Sequence, residues 1–215
     1  SPEELTALTA SDDVDAHHVY KVVFKEEDTV LPVDQRNPFD LQEFFEHPER
    51  YRSKFQDYLP HLSVLVNCIY WDTPYPRLVT KEAVRDLYRR HLQPRLRVIG
   101  DISCDIGGGI EPTLKATDLD NPVFVWDPRT DSALDGVAGR GPVIMAVDNL
   151  PCELPIESST AFGDALTPFV PALATCDFDN DFESCILPPE LKRATILYHG
   201  QLTPAYRYLA PYIGI

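Results

Sequence analysis

The sequence predicts an α/β fold built on an open parallel β-sheet, and three observations carry that prediction. Short, nearly continuous apolar runs recur along the chain, as they do in strands covered on both faces. A helical stretch separates two of the runs, and strand–helix–strand in that order implies parallel pairing. Three runs then end in polar residues, at the edge where open α/β sheets collect their ligands.

Taken in order, Val19 to Phe24 reads as a short strand. Asp40 to Leu59 reads as one or two helices, with Pro48 opening the second because proline is tolerated in a first turn. Leu62 to Tyr70 is a strong strand. Thr80 is a good N-cap for a helix that gathers Ala83, Val84, Leu87 and Tyr88 on one face. Further strands follow at Leu96 to Ser103, Val123 to Trp126 and Val143 to Asp148. Beyond a boundary near Pro151 the pattern changes. Ser158 or Ser159 caps a helix carrying Ala161, Phe162, Ala165, Leu166 and Phe169 at helical spacing. The rest is irregular, with a helical piece at Pro189 to Arg193, a strand-like Ala194 to Tyr198 and a tyrosine-rich end.

Composition bounds the function. The 215 residues include 19 Lys+Arg against 34 Asp+Glu, a formal net charge of -15. That balance argues against nucleic acid, whose phosphates need clustered cations. No apolar stretch approaches the roughly 20 residues of a membrane span, and a chain this long can bury about 70% of its unfolded surface without a disulfide or metal. The five cysteines, Cys68, Cys104, Cys152, Cys176 and Cys185, are widely spaced with no CxxC pair, which suits reduced thiols in an intracellular reducing compartment, cytoplasm or mitochondrial matrix. Twenty prolines, about 9% against a usual 5% or so, are scattered as in a loop-rich chain.

The polar strand ends are the place to look for chemistry. They are Asn67 with Cys68, then Asp101 and Asp105 before Gly107-Gly108-Gly109, then Asp148-Asn149 before Leu150-Pro151. Asn and Asp also begin turns, so each has a purely structural reading. The triple glycine is neither a dinucleotide fingerprint nor a P-loop, and alone it reads as a tight turn. Asp177-x-Asp179-x-Asp181 opens like a calcium loop but places Phe182 where glycine is required and Pro188 where glutamate is, so it reads as a solvated acidic loop. The six histidines show no zinc-ligand spacing with the cysteines. Periodicity and spacing stop there and name no substrate.

Longer motifs add a resemblance. Val64-Leu65-Val66-Asn67-Cys68-Ile69-Tyr70-Trp71, the run from Gly100 through Cys104-Asp105-Ile106-Gly107-Gly108-Gly109 to Glu111, Ala146-Val147-Asp148-Asn149-Leu150-Pro151 and Phe162-Gly163-Asp164-Ala165-Leu166 resemble the lysine-ketoglutarate reductase part of bifunctional aminoadipic semialdehyde synthases. The closing segment from Leu187 to Tyr208 resembles the end of that reductase in its plant-like form, and the Asp105-Ile106-Gly107-Gly108 and Asn149-Leu150-Pro151 elements are more distantly similar to alanine dehydrogenases and fungal saccharopine dehydrogenases. The resemblance covers essentially the whole chain.

It implies an alanine dehydrogenase-like fold in which 1–151 is the C-terminal part of a Rossmann-type NAD(P)-binding domain and 152–215 returns to the substrate domain. It implies NADPH-dependent condensation of lysine with 2-oxoglutarate to saccharopine, with NAD the alternative cofactor. The family's Gly-rich loop and its acid–base lysine and histidine have no counterpart here, so the expectation is a portion of the enzyme that is inactive alone and that meets an N-terminal half or self-associates. Residue by residue, the resemblance places Asn67, Cys68 and Ile69 near the nicotinamide ribose, Ile102 and Asp105 beside the nicotinamide, and Asp148, Asn149 and Leu150 on the opposite wall. It assigns no firm catalytic residue; Asp105 is the candidate, although Gly109 and Ile110 depart from the alanine dehydrogenase pattern beside it. The readings from other classes are a non-catalytic interaction or regulatory module of the same fold, and an NAD-linked saccharopine or alanine dehydrogenase relative.

Overall fold

Residues 1–11, 14, 15 and 17–214 are described by a computed structural model and fall into two units, Ser1–Leu150 and Pro151–Ile215. The first contains α1 (Pro2–Ala10), α2 (Glu26–Thr29), β1 (Val30–Pro32), α3 (Leu41–Glu46), β2 (Tyr51–Ser53), β3 (Val64–Asn67), α4 (Lys81–Arg90), β4 (Val98–Asp101), β5 (Val123–Asp127), β6 (Ser132–Asp135) and β7 (Val143–Met145). The second contains α5 (Pro155–Leu166), α6 (Val170–Thr175), α7 (Pro189–Ala194), β8 (Leu197–Tyr198), β9 (Gln201–Leu202) and α8 (Ala210–Ile213).

The main sheet has the order β3-β4-β7-β5-β6. β3, β4 and β7 are parallel neighbours, so the strands with polar ends do lie side by side. The fold is α/β, but the sheet is mixed. β5 runs antiparallel to β7 and folds back on β6 as a hairpin, which corrects the reading of Val123 to Trp126 as one more parallel strand. The physical reason is local: only Pro128 to Asp131 separate β5 from β6, far too few residues for a crossover, and Asp131 takes the positive φ of 53° that closes the turn.

α4 forms where its pattern predicts. Thr80 Oγ1 accepts the backbone N–H of Ala83 at 3.1 Å, and Val84 and Leu87 are buried. They join Ile99, Ile110, Phe124, Trp126 and Ile144 in the core. Burial of those side chains, at about 1.5–3 kcal/mol each relative to exposure, is what fixes the strand ends in register.

Three further elements differ from the sequence reading. Val19 to Phe24 forms no strand: no neighbouring strand pairs with it, Val19 and Val23 are exposed, and only Val22 and Phe24 reach the core. In Asp40 to Leu59 the helix ends at Glu46, and Pro48 opens a single 3-10 turn. Tyr51–Ser53 then pairs antiparallel with β1, because Tyr51 packs with Phe39, Phe44, Val30 and Tyr75 in a small second core. α5 begins at Pro155, three residues before Ser158, since proline suits a first turn and no side-chain cap is used; none of its residues is buried.

Candidate functional site

The carboxyl ends of β3 and β4 are tied by a buried polar network. Asn67 faces Asp101 in the parallel register, and the two are 3% and 1% exposed. Asn67 Nδ2 donates to Asp101 Oδ1 at 2.9 Å and, more weakly, to Ser103 Oγ at 3.4 Å. Thr113 Oγ1, itself buried, donates to Asp101 Oδ2 at 2.6 Å. Ser103 Oγ donates to the Ile69 carbonyl at 2.7 Å, and the Ile69 N–H donates to Asn67 Oδ1 at 3.3 Å. A buried carboxylate is tolerated only when such donors surround it. Asp101, one of the polar strand ends, is thus the structural centre together with Thr113, which the sequence reading did not single out. The signal for Asp101 was an aspartate at the end of an apolar run; nothing in the local pattern marked Thr113.

Above this floor lie the other sequence-predicted residues. Cys68, Ile69, Ile102, Asp105, Asp148 and Asn149 are exposed, and Leu150 is half-buried. Asn67 is the exception, because its amide is engaged inside the network rather than open to a ligand. Cys104 lies three residues past the end of β4. Burial pushes its thiol pKa up, and the negative charges of Asp101, Asp148 and Asp105 add to the effect. It adopts a positive φ of 56°, and its thiol donates to the Asp101 carbonyl at 3.3 Å. A non-glycine residue in that region carries backbone strain that surrounding structure must hold, and such residues gather at functional sites.

The triple glycine is a braced turn. Gly107 has φ +73°, and a Cβ on Gly108 would stand 2.6 Å from Asp105 Cβ. The Gly107 and Gly108 carbonyls accept from Arg77, whose guanidinium also lies 4.4 Å from the Trp71 ring centroid and 3.4 Å from Glu111. Those carbonyls face a cation, so the turn positions Asp105 and is no cradle for phosphate. Among the described residues no group of His, Cys, Asp and Glu is arranged to hold a metal.

A cavity of about 370 Å³ lies elsewhere, lined by Arg85, Tyr88, Arg89, Pro128, Arg129 and Arg140. Arg85, Tyr88 and Arg89 come from α4, whereas Pro128, Arg129 and Arg140 lie between the end of β5 and the start of β7, at the opposite end of those strands from Asp148. Ligands of open α/β sheets sit at the carboxyl ends of parallel strands, so the mouth formed by Cys68, Ile102, Asp105 and Asp148 is the candidate. Around it Ile69 and Ile102 leave apolar side chains exposed, and Asp148 and Asn149 are exposed polar residues after the end of β7.

The family described as alanine dehydrogenase/PNT, C-terminal domain, matches residues 29–205. An alpha-aminoadipic semialdehyde synthase of Arabidopsis thaliana is 40% identical over 194 residues, 90% of this chain and 18% of that one. The mitochondrial alpha-aminoadipic semialdehyde synthase of Bos taurus is 34% identical over 184 residues, 80% of this chain and 20% of its own. A saccharopine dehydrogenase (NAD(+), L-lysine-forming) of Schizosaccharomyces pombe is 34% identical over 123 residues, 54% of this chain and 29% of that one. The chain therefore spans about a fifth of the length of the two synthases.

Proposed function

The chain belongs to the alanine dehydrogenase/PNT C-terminal-domain family, and from that premise we propose that it forms the nicotinamide-facing wall of an oxidoreductase of lysine degradation. The reaction is the reductive condensation of lysine with 2-oxoglutarate to saccharopine, with NADPH as the reductant. Similarity to two alpha-aminoadipic semialdehyde synthases along 80% or more of the chain supports this reading over alanine oxidation. On this reading 1–151 is the C-terminal part of the cofactor-binding domain and 152–215 the segment returning to the substrate domain.

The observation that carries the proposal is the convergence of three parallel strand ends on one mouth, exposed above and sealed below by Asn67, Asp101 and Thr113. A reduced nicotinamide, when bound, supplies a hydride for an imine carbon. The chain's own residues do the positioning. Ile69 lies by the ribose, and Ile102 packs against the ring and keeps water from one face, which fixes reacting atoms in an attack geometry. Asn149 orients cofactor or substrate through its amide, Asp148 accepts hydrogen bonds, and Cys68 and Leu150 complete the walls. Asn67 acts from below, holding the Ile69 N–H and Asp101. Asp105 is the candidate for a proton-transfer role, but proximity to the cofactor is its assigned duty. The acid–base lysine and histidine come from outside this chain.

NADP is preferred to NAD because the resemblance to the synthases runs along more of the chain than that to the saccharopine dehydrogenases named for NAD(+), which cover 49% to 54% of it. Residence in the mitochondrial matrix, ahead of the cytoplasm, is suggested by the name of the bovine relative; no helix among the described residues is long and apolar enough to cross a membrane. The deciding experiment mixes this chain with a separately produced N-terminal half of a matching reductase and follows loss of NADPH absorbance with lysine and 2-oxoglutarate, with NADH in parallel. Turnover in the mixture and not with either chain alone is expected. Halves that associate and bind NADPH yet give no turnover would overturn the reaction in favour of an interaction module of the same fold.

A further inference from the structure

In the second unit two thiols meet. Cys176 directly follows α6, Cys185 lies nine positions later, and their Sγ atoms are 2.7 Å apart. The wide spacing of the five cysteines gives no hint of this, since the loop between the two must turn back fully to bring them together. Its turn is held by its own backbone and by neighbouring elements. The N–H groups of Ser184 and Cys185 donate to the Asp181 carbonyl at 3.0 and 2.9 Å. Asn180 Nδ2 donates to Asp177 Oδ2 at 2.9 Å. From β8, Tyr198 Oη donates to the carbonyls of Phe178 and Asn180 at 3.2 and 2.8 Å, and from α7 Lys192 Nζ donates to the Glu183 carbonyl at 2.8 Å. The loop is therefore organised around the sulfur pair before any bond forms between them.

We propose that Cys176 and Cys185 are a thiol–disulfide modification site, oxidised reversibly by a low-molecular-weight disulfide. The sulfurs need to close by only about 0.7 Å to reach the roughly 2.05 Å of a disulfide bond. Access sets the order of events. Cys185 is 2% exposed, whereas Cys176 is partly open to solvent. The Cys176 thiolate attacks the small disulfide RSSR, its S–S bond breaks, and one RS⁻ leaves and takes up a proton. The Cys185 thiolate then attacks Cys176 Sγ, the mixed disulfide breaks, and the second RS⁻ leaves and is protonated. Two protein thiols lose two electrons and two protons, and RSSR gains both to become two RSH. The thiol of Cys176 is pushed up to about 11, first by its hydrogen bond with Cys185 and then by burial, with Cys185 and Asp177 charges adding. Only a small thiolate fraction exists near neutral pH, so the first attack is slow.

The test treats the whole chain with oxidised glutathione and maps its cysteines by mass spectrometry of proteolytic peptides. A single internal link between Cys176 and Cys185, lighter by two hydrogens and reversed by dithiothreitol, is expected. Exposed Cys68 and Cys152 serve as internal controls and take up glutathione instead. Two serine variants check the order of attack. Cys185→Ser should trap glutathione on Cys176, and Cys176→Ser should leave Cys185 unmodified. Glutathione on both members of the wild-type pair, free thiols there while the controls react, or ready modification of Cys185 in Cys176→Ser would each overturn the proposal.

Discussion

Asp101 shows how much of this site rests on single hydrogen bonds. It is 1% exposed, and its two carboxylate oxygens accept from Asn67 and from Thr113. Thr113→Val keeps the shape and removes one donor, so it should destabilise the chain by about 1.5–3 kcal/mol, the worth of a hydrogen bond to a charged group, read as a lower urea midpoint. An unchanged midpoint would mean that the network does not hold the strand ends. The glycines beside Asp105 separate two effects. Gly107 has open space around it, so Gly107→Ala meets only the cost of a positive φ, about 1–2 kcal/mol. A Cβ at Gly108 would lie 2.6 Å from Asp105 Cβ and 2.8 Å from its carbonyl oxygen, so Gly108→Ala must move Asp105 itself. In the complemented enzyme Gly108→Ala should therefore lower turnover while Gly107→Ala changes stability and leaves turnover near wild type; equal turnover in the two would detach Asp105 from the site. At this scale the sequence displayed Asn67, Asp105 and Asp148 because they follow apolar runs. It hid Thr113, since a residue recruited by tertiary approach leaves no trace in local periodicity.

Between elements, α4 and the β5–β6 hairpin are joined through Asp131. Lys81 and Arg85 reach it at 2.9 and 3.5 Å, and Trp126 Nε1 donates to it at 2.9 Å. Its carboxyl is held below the usual range, first by the hydrogen bond from Lys81 and then by that from Trp126. A folded pKa below the unfolded one gives stability that is fully present above about pH 4 and lost as pH falls through the folded value. Asp131→Asn keeps a residue that tolerates the positive φ and an oxygen for Trp126, so it isolates the charge. Because the pair is partly exposed, the loss at pH 7 should be under about 1 kcal/mol, shrinking towards zero as pH drops below 4. Thermal unfolding of both chains across pH measures it, and a gap that persists in acid would assign the effect to something other than charge. α4 was legible because cap and amphipathic face agree within one local segment. The hairpin was not, because an apolar run of four residues reads alike in parallel and antiparallel strands, and only the short turn at Pro128 to Asp131 tells them apart.

For the molecule as a whole, the informative strand is β3, at one edge of the main sheet. Its sequence is almost continuously apolar, which is the pattern of a strand covered on both faces. Its burial nonetheless alternates: Leu65 and Asn67 are buried, while Val64 and Val66 are 55% and 60% exposed. The valines are placed as if for a cover that the described residues do not supply, and the free edge beside them presents unpaired backbone groups. An open edge carrying exposed apolar side chains is an association surface. The chain alone should self-associate with rising concentration in sedimentation velocity, and a matching N-terminal half should compete for the same surface. Replacing Val64 and Val66 by lysine touches no buried side chain, so far-UV circular dichroism should be unchanged while both self-association and complementation are lost, since charge on an edge strand disfavours added strands. Association that survives both substitutions would move the interface away from β3 and leave its exposed valines without an explanation in the assembled enzyme.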